Sequence, residues 1–371
     1  MKRRIAVVFG GRSAEHEISC ISARSVIDAI DPSRNEVVAI GITREGAWQL
    51  QPGAPVLPSE SGRMPEVRSA EESVVELATR DGANELVAAD GSRSTIDVVF
   101  PVLHGPFGED GAVQGMLELA GVPYVGSGVL GSAIGMDKDV QKRLLRDAGL
   151  AVVPHETVRE FEWAEDPDGV AARAEALGYP VFTKPASLGS SVGVVKVSRP
   201  EALAAGLDEA FRYGRKALVE RGLDGAREIE CAVLGNDDPV ASVAGEVIPR
   251  GHEFYDYKAK YLDENGAELL IPADLKPDLL EEVQRIAVVA FGAIGCAGMA
   301  RVDFFLHGEA DLYVNEINTI PGFTSISMYP KLWEGSGLPY AELVERLVEL
   351  AIERSEAERG KSTSVPELGG A

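Results

Sequence analysis

Residues 300–328 read ARVDFFLHGEADLYVNEINTIPGFTSISM. Two short apolar runs, 301–306 and 312–317, flank a polar turn at 307–311, the pattern of a β-hairpin. In a strand, residues two apart share a face. Arg301, Asp303 and Phe305 therefore share one face, and Glu316 and Asn318 share one. An even-numbered loop sets Asp303 opposite Glu316 and Arg301 opposite Asn318. Two carboxylates on one face repel unless a cation lies between them, and an oxygen set of Asp, Glu and Asn suits a hard cation such as Mg2+ or Mn2+. The competing reading is an edge strand with a solvated polar face. The turn that follows, Asn-Thr-Ile-Pro-Gly-Phe-Thr at 318–324, favours the metal, because a Pro-Gly turn beside a charged cluster offers backbone N–H groups to an anion.

The chain has 371 residues, enough for two or three domains. Its apolar fraction of 45% and charged fraction of 26% are those of an ordinary globular protein. A net charge of −23 argues against nucleic-acid or anionic-membrane partners, though a local Lys/Arg pocket in an acidic protein can still hold a nucleotide. Cys20, Cys231 and Cys296 lie far apart with no metal-ligand spacing and read as buried thiols of a cytoplasmic protein. The apolar run after Met1-Lys-Arg-Arg is too short for a signal peptide, and no run approaches a membrane span.

Upstream of the hairpin, the apolar run 4–9 ends in Gly10-Gly11 and reads as a buried parallel strand. Helical spacing follows at 15–30, with Ser13 and Glu15 as cap and first-turn residues. Strands at 37–42 and 47–50 complete an open α/β start. Residues 52–95 are rich in Pro, Gly, Ser and charge and read as an irregular insertion, part strand and part loop. A strand at 96–103 runs into HGPFGEDG at 104–111, then a helix at 112–120 and a strand at 122–125. Ligands of open α/β sheets gather where strands end in loops, which marks 10–15 and 104–111. A histidine such as His104 alone is more often a turn residue with a structural hydrogen bond.

A helix at 136–150 carries Asp137, Lys138, Lys142 and Arg143. Strands at 181–184 and 194–197 enclose PASLGSSVG at 185–193, a small-residue loop able to fold over phosphates, with Lys184 at its entrance. It is neither a Walker A loop nor a dinucleotide glycine motif. Strands at 218–221, 228–234 and 240–248 follow. The aromatic, charged segment EFYDYKAKY at 253–261 reads as a functional loop. Helices at 279–294 and 340–354 and a frayed tail from Ser355 complete the chain.

Together these motifs resemble the ATP-grasp enzymes, and within them the D-alanine–D-alanine ligases. The resemblance runs from about residue 4 to 354 through GGRSAEHEIS, LHGPFGEDGAVQG, GMDK, TKPASLGSSVG, EIECAVLGN, EFYDYKAKY, GMARVDFF and NEINTIPGFTSISMYP. Phe323, Met328 and Thr183 depart from the commoner residues without changing a charge. The resemblance implies an α/β (α+β) ATP-grasp fold: an N-terminal α/β domain at 1–126, a central subdomain at 127–219 and a C-terminal subdomain at 220–371, the last two sandwiching ATP. It implies a cytoplasmic homodimer that forms D-alanyl-D-alanine for the cell wall through an acyl phosphate.

Each site residue has an implied role. Asp303, Glu316 and Asn318 hold two Mg2+ (or Mn2+) ions. Lys138, Lys184 and Lys260 neutralise phosphate, with Ser190 and Ser191 in the phosphate loop. Glu220 and Leu223 read adenine, Phe305 floors its pocket and Glu228 binds ribose. Glu15 holds the first D-alanine's ammonium, and His104 contacts that substrate. Ser190 and Tyr261 face each other across the site. Arg301 and the Gly322 amide stabilise oxyanions, and Ser327 and Met328 bind the second carboxylate. Enzymes of this family that take D-lactate carry a His where Tyr261 stands, so Tyr261 argues for D-alanine as second substrate, with a D-Ala-D-lactate or D-Ala-D-Ser ligase as the alternative. A carboxylase or a nucleotide-binding module without turnover is the competing class; no biotin motif is present and the charged set is intact.

Overall fold

The computed structural model describes residues 2–57, 60, 63–80, 83–249 and 267–361. β1 (Arg3–Gly10), α1 (His16–Ala29), β2 (Asn35–Ile42) and β3 (Trp48–Leu50) open the chain. β4 (Val75–Arg80), β5 (Ala83–Ala88) and β6 (Arg93–Thr95) form a separate antiparallel sheet, and β7 (Val98–Pro101) returns to the first one. The first sheet has the order β3-β2-β1-β7, with β1 parallel to both β2 and β7.

Every β1 residue from Ile5 onward is buried, as a parallel strand covered on both faces must be. Ile5, Val7 and Phe9 join a core that includes Val26 of α1. Ala6 and Val8 join a second core that includes Leu117, Val75 and Leu86. The insertion, part strand and part loop as expected, thus supplies antiparallel sheet to the second face.

α2 (Ala112–Leu119) matches the expected helix, but residues 122–125 are not a strand; they contribute one parallel bridge, Val99 to Tyr124. The helix expected at 136–150 is α4 (Lys138–Asp147), and a further helix, α3 (Val129–Met136), precedes it. The break falls at Asp137, whose extended backbone ends one helix and whose carboxylate accepts the N–H groups of Asp139 and Val140 to cap the next.

β8 (His155–Arg159), α5 (Glu160–Glu165), α6 (Pro167–Leu177), β9 (Val181–Pro185), β10 (Val195–Val197), α7 (Leu203–Phe211) and β11 (Lys216–Arg221) build an antiparallel sheet of order β10-β9-β11-β8. β12 (Arg227–Gly235), β13 (Val240–Pro249), β14 (Ala267–Leu270), α8 (Pro277–Ala293), β15 (Gly298–His307) and β16 (Asp311–Asn318) build another, of order β14-β13-β12-β15-β16. α9 (Met328–Gly335) and α10 (Tyr340–Arg359) finish the described chain. α10 continues in helix past Ser355, where a frayed tail was expected.

Ile229, Cys231 and Val233 of β12 and Val302, Phe304 and Leu306 of β15 pack in one core with Val283 and Ala287 of α8. The two-residue period therefore sends Glu228, Glu230, Arg301, Asp303 and Phe305 to the other face of the sheet. All three cysteines are buried and unpaired, their thiols pushed up to about 12 by burial. Among the described residues no helix is long and apolar enough to cross a membrane.

Candidate active site

The hairpin forms with the expected pairing: Arg301 faces Asn318 and Asp303 faces Glu316. It reaches that register by a different route. His307 pairs with Asp311, so the loop holds three residues, Gly308 to Ala310, not an even number. The register then shifts between Asp303 and Phe304, leaving Asn315 as the extra residue of a β-bulge. Without that bulge Asp303 would lie opposite Asn315 and the carboxylates would be out of step.

Antiparallel pairing of β12 with β15 sets Glu230 beside Asp303 and Glu228 beside Phe305. Glu230, Asp303 and Glu316 thus form a row of carboxylates across three strands. Arg301 holds two of them: its Nε lies 2.8 Å from Glu230 Oε2, and its Nε and Nη2 donate to both Asp303 oxygens at 2.7 Å. Burial alone would push the guanidinium down, but Asp303 and Glu230 more than offset it and hold Arg301 well above its ordinary range. Asn318 Nδ2 donates to Asp303 Oδ2 at 2.9 Å, and Lys138 Nζ lies 3.0 Å from Glu316 Oε2.

A cleft of about 590 Å³ lies between this face and the β9–β11 side. Of the expected site residues, Lys138, Lys184, Ser191, Glu220, Leu223, Glu228, Asp303, Phe305 and Glu316 line it. Glu220 is buried at 3% exposure between two lysines, Lys184 on the neighbouring strand and Lys142 of α4, with Lys142 Nζ 2.8 Å from its Oε2. Burial by itself raises such a carboxyl, but Lys142 and Lys184 reverse that and hold Glu220 down at about 2.

At the cleft's other end lies the 185–193 loop. Lys138 Nζ donates to Leu188 O at 2.6 Å. Ser190 and Ser191 have φ of 53° and 58°, a left-handed backbone that costs a serine energy and that the surroundings must hold. Ser190 Oγ donates to Glu15 Oε1. Glu15 sits at the N-cap position of α1 but makes no side-chain cap bond there, and Ser13 Oγ accepts the Glu15 N–H instead of capping the helix.

His104 is buried, with Nε2 3.2 Å from Ser22 Oγ. Burial lowers its pKa and keeps it neutral, although Glu15 pulls the other way. Ser327 Oγ lies 2.7 Å from Thr324 Oγ1 and accepts the Thr324 N–H at 3.1 Å, and a Cβ on Gly322 would come within 3.0 Å of that same oxygen. Met328 begins α9 with a buried side chain. Lys260, Tyr261 and the 253–261 segment lie outside the described residues.

The structure adds residues that the sequence reading did not assign. Glu230 was legible, two residues after Glu228 on one strand. Lys142 was legible as one helical turn beyond Lys138. Gln141 carried no signal; its side chain bonds both the N–H and the C=O of Ile317. Glu109 accepts the Gly105 N–H at 2.5 Å, and its carboxyl is pushed up to about 8, first by burial and then by Glu15. Lys138 and Glu316 also act electrostatically on Glu109, in opposite directions.

The fit to a divalent cation rests on Asp303 and Glu316, which are opposed in register with Asn318 adjacent, an all-oxygen donor set. The arrangement can neutralise a polyanion from one side and a cation from the other.

Comparison with known proteins agrees along the chain. The profile described as "D-ala D-ala ligase N-terminus" matches residues 4–127, and "D-ala D-ala ligase C-terminus" matches 144–349. The chain is 48% identical over 368 residues to a D-alanine–D-alanine ligase of Oceanobacillus iheyensis, covering 98% of this chain and 99% of that one. It is 48% identical over 369 residues to D-alanine–D-alanine ligase A of Escherichia coli, covering 98% and 100%. In structure it resembles the D-alanine-D-alanine ligase from Coxiella burnetii, at TM-score 0.83 and 38% identity over 97% of this chain and 96% of that one. It also resembles the VanG D-Ala:D-Ser ligase from Enterococcus faecalis, at TM-score 0.82 and 34% identity over 95% and 100%. With its sequence and its fold matching along nearly all of its length, the chain belongs to the D-alanine–D-alanine ligase family of ATP-grasp enzymes.

Proposed function

We propose that this chain joins two D-alanines into D-alanyl-D-alanine, a building block of the cell wall, at the expense of ATP. The observation that carries the reading is the cleft: a row of three carboxylates threaded by Arg301 on one side, and Lys184 and Lys138 on the other. The carboxylate of the first D-alanine attacks the γ-phosphorus of ATP, giving an acyl phosphate and ADP. The amino group of the second then attacks the acyl carbon, the tetrahedral intermediate expels phosphate, and the amine loses a proton as the peptide bond forms.

Lys138, Lys184 and Lys260 neutralise the phosphates, with Ser190 and Ser191 as donors above them. The Glu220–Leu223 segment borders adenine, Leu223 through its backbone. Glu220 keeps its carboxylate on the lysines. Phe305 floors the adenine pocket and Glu228 meets the ribose. Glu15, anchored to Ser190, takes the first ammonium beside the neutral His104, and Tyr261 is the partner of Ser190 across the site. Arg301 and the Gly322 amide stabilise the oxyanions, and Ser327 and the start of α9 at Met328 hold the second carboxylate. Asp303, Glu316 and Asn318 would hold two Mg2+ or Mn2+ ions, which supply charge neutralisation at the phosphate oxygens. We further propose divisions at 126/127 and 219/220, a homodimer, and a cytoplasmic location without nucleic-acid or membrane partners.

The likeness to a D-Ala:D-Ser ligase supports one second reading, D-serine as the second substrate. The test is phosphate release from ATP and D-alanine, with D-serine and D-lactate as competing acceptors. Release that needs no D-alanine, or a faster mixed product near neutral pH, overturns the assignment.

A further inference from the structure

β16 is held from one direction by one turn of one helix. Asn315, Glu316 and Ile317 are consecutive, and each is bound by a different side chain of α4. Lys142 Nζ donates to the carbonyl of Asn315, the bulged residue, at 2.8 Å. Lys138 Nζ lies 3.0 Å from Glu316 Oε2. Gln141 Oε1 accepts the Ile317 N–H at 3.0 Å while its Nε2 donates to Ile317 O at 3.1 Å, as a neighbouring strand would. Residues 138, 141 and 142 have i, i+3, i+4 spacing and so share one helix face.

Both added side chains are fully buried, at 0% exposure. A buried ammonium is costly and contributes little net stability even when paired. Lys142 instead joins two parts of the cleft: it grips the bulge that keeps Asp303 and Glu316 in step, and it shares Glu220 with Lys184. Gln141 fixes the residue between Glu316 and Asn318 and anchors itself to Gly135 O at 2.9 Å.

We propose that Gln141 and Lys142 are positioning residues that set the bulged register of β16, and so the spacing of its oxygen donors for the metal–nucleotide complex. This rests on the ligase reading above. Gln141 acts through the strand, and Lys142 through both the strand and Glu220.

The test is calorimetric binding of ADP to the full chain with and without Mg2+, beside thermal melting. In the unaltered protein Mg2+ is expected to tighten ADP binding. Gln141→Met is expected to cut that metal-dependent gain about tenfold or more, the range seen when groups behind metal ligands are removed. Binding of metal-free ADP should change by less than about threefold, since the lysines are untouched. Lys142→Met should lose the same gain and Lys142→Arg recover part of it, so a fold lost in one variant leaves the others decisive. Variants that melt like the unaltered protein and keep its full Mg2+ gain overturn the proposal. D-alanine-dependent phosphate release by the unaltered protein is run alongside. Its absence removes the ligase reading and this inference together, whereas turnover with an unchanged Mg2+ gain in the variants removes the positioning role alone.

Discussion

The two walls of the cleft are charged on opposite plans. In the wall formed by β9, β11 and α4, one carboxylate, Glu220, sits between two ammonium groups, Lys142 and Lys184. In the wall formed by β12 and β15, one guanidinium, Arg301, sits between two carboxylates, Glu230 and Asp303. Around each central counter-ion the flanking pair is in excess, so the triad is net positive on the first wall and net negative on the second. Like charges can be gathered in a half-buried site only if an opposite charge lies among them. The central ion makes each wall foldable in the absence of ligand, and the surplus charge is what a triphosphate or a cation would meet.

The comparison breaks hardest at the carboxylate wall. Asp303→Ala removes a proposed metal donor and half of the Arg301 clamp. D-alanine-dependent phosphate release is expected to fall on the order of 1000-fold, several kcal/mol of transition-state stabilisation, with cooperative melting retained. Full activity in this variant would remove Asp303 from the reaction.

Arg301→Met leaves Glu230 and Asp303 side by side without their cation. Urea unfolding should show a loss of roughly 3–5 kcal/mol, the penalty for stripping one partner from a buried ion pair. Adding Glu230→Gln should return part of it. Equal stability in the single variant would mean that the wall does not need its central ion.

The lysine wall is probed by pH. Glu220 titrates at about 2 in the fold against an ordinary 4.5. A carboxyl depressed in this way contributes stability that is present above pH 4.5 and lost as pH falls toward 2. Glu220→Gln should therefore be less stable than the unaltered protein at neutral pH and lose less between pH 5 and 2.5. Parallel curves of urea midpoint against pH for the two proteins would contradict the assignment.

The last effect is expected at Glu109, a half-buried glutamate of the 104–111 loop. Its carboxyl is raised to about 8. The sign is opposite: the unfolded chain releases this proton near 4.5, so stability is lost as pH rises from 4.5 to 8. Glu109→Gln should be the more stable form at pH 8 by at least about 1 kcal/mol, and the difference should vanish near pH 5. A Glu220 and a Glu109 that behave alike would show that burial, rather than the neighbouring lysines, sets both.

Much of this architecture could be read before any coordinates. Continuous apolar runs such as β1 mark strands covered on both faces, because the side-chain period leaves no polar face. The same period put Asp303 and Phe305, and Glu316 and Asn318, on shared faces. Misreadings fell where local chemistry was outvoted by packing. Asp137 looks helical in composition but caps a helix, and residues 122–125 look like a strand but contribute a single bridge.

By itself, then, the sequence determined the family, the hairpin and the residue types that the reaction requires, since these depend on short-range periodicity and on motifs in order. Tertiary structure alone decided how the carboxylates come into step. The three-residue turn would have set them out of register, the bulge at Asn315 restores it, and Lys142 and Gln141 of a distant helix hold that bulged strand. Nothing local could have announced this, because a bulge and its supports are satisfied by contacts more than 170 residues apart in the chain.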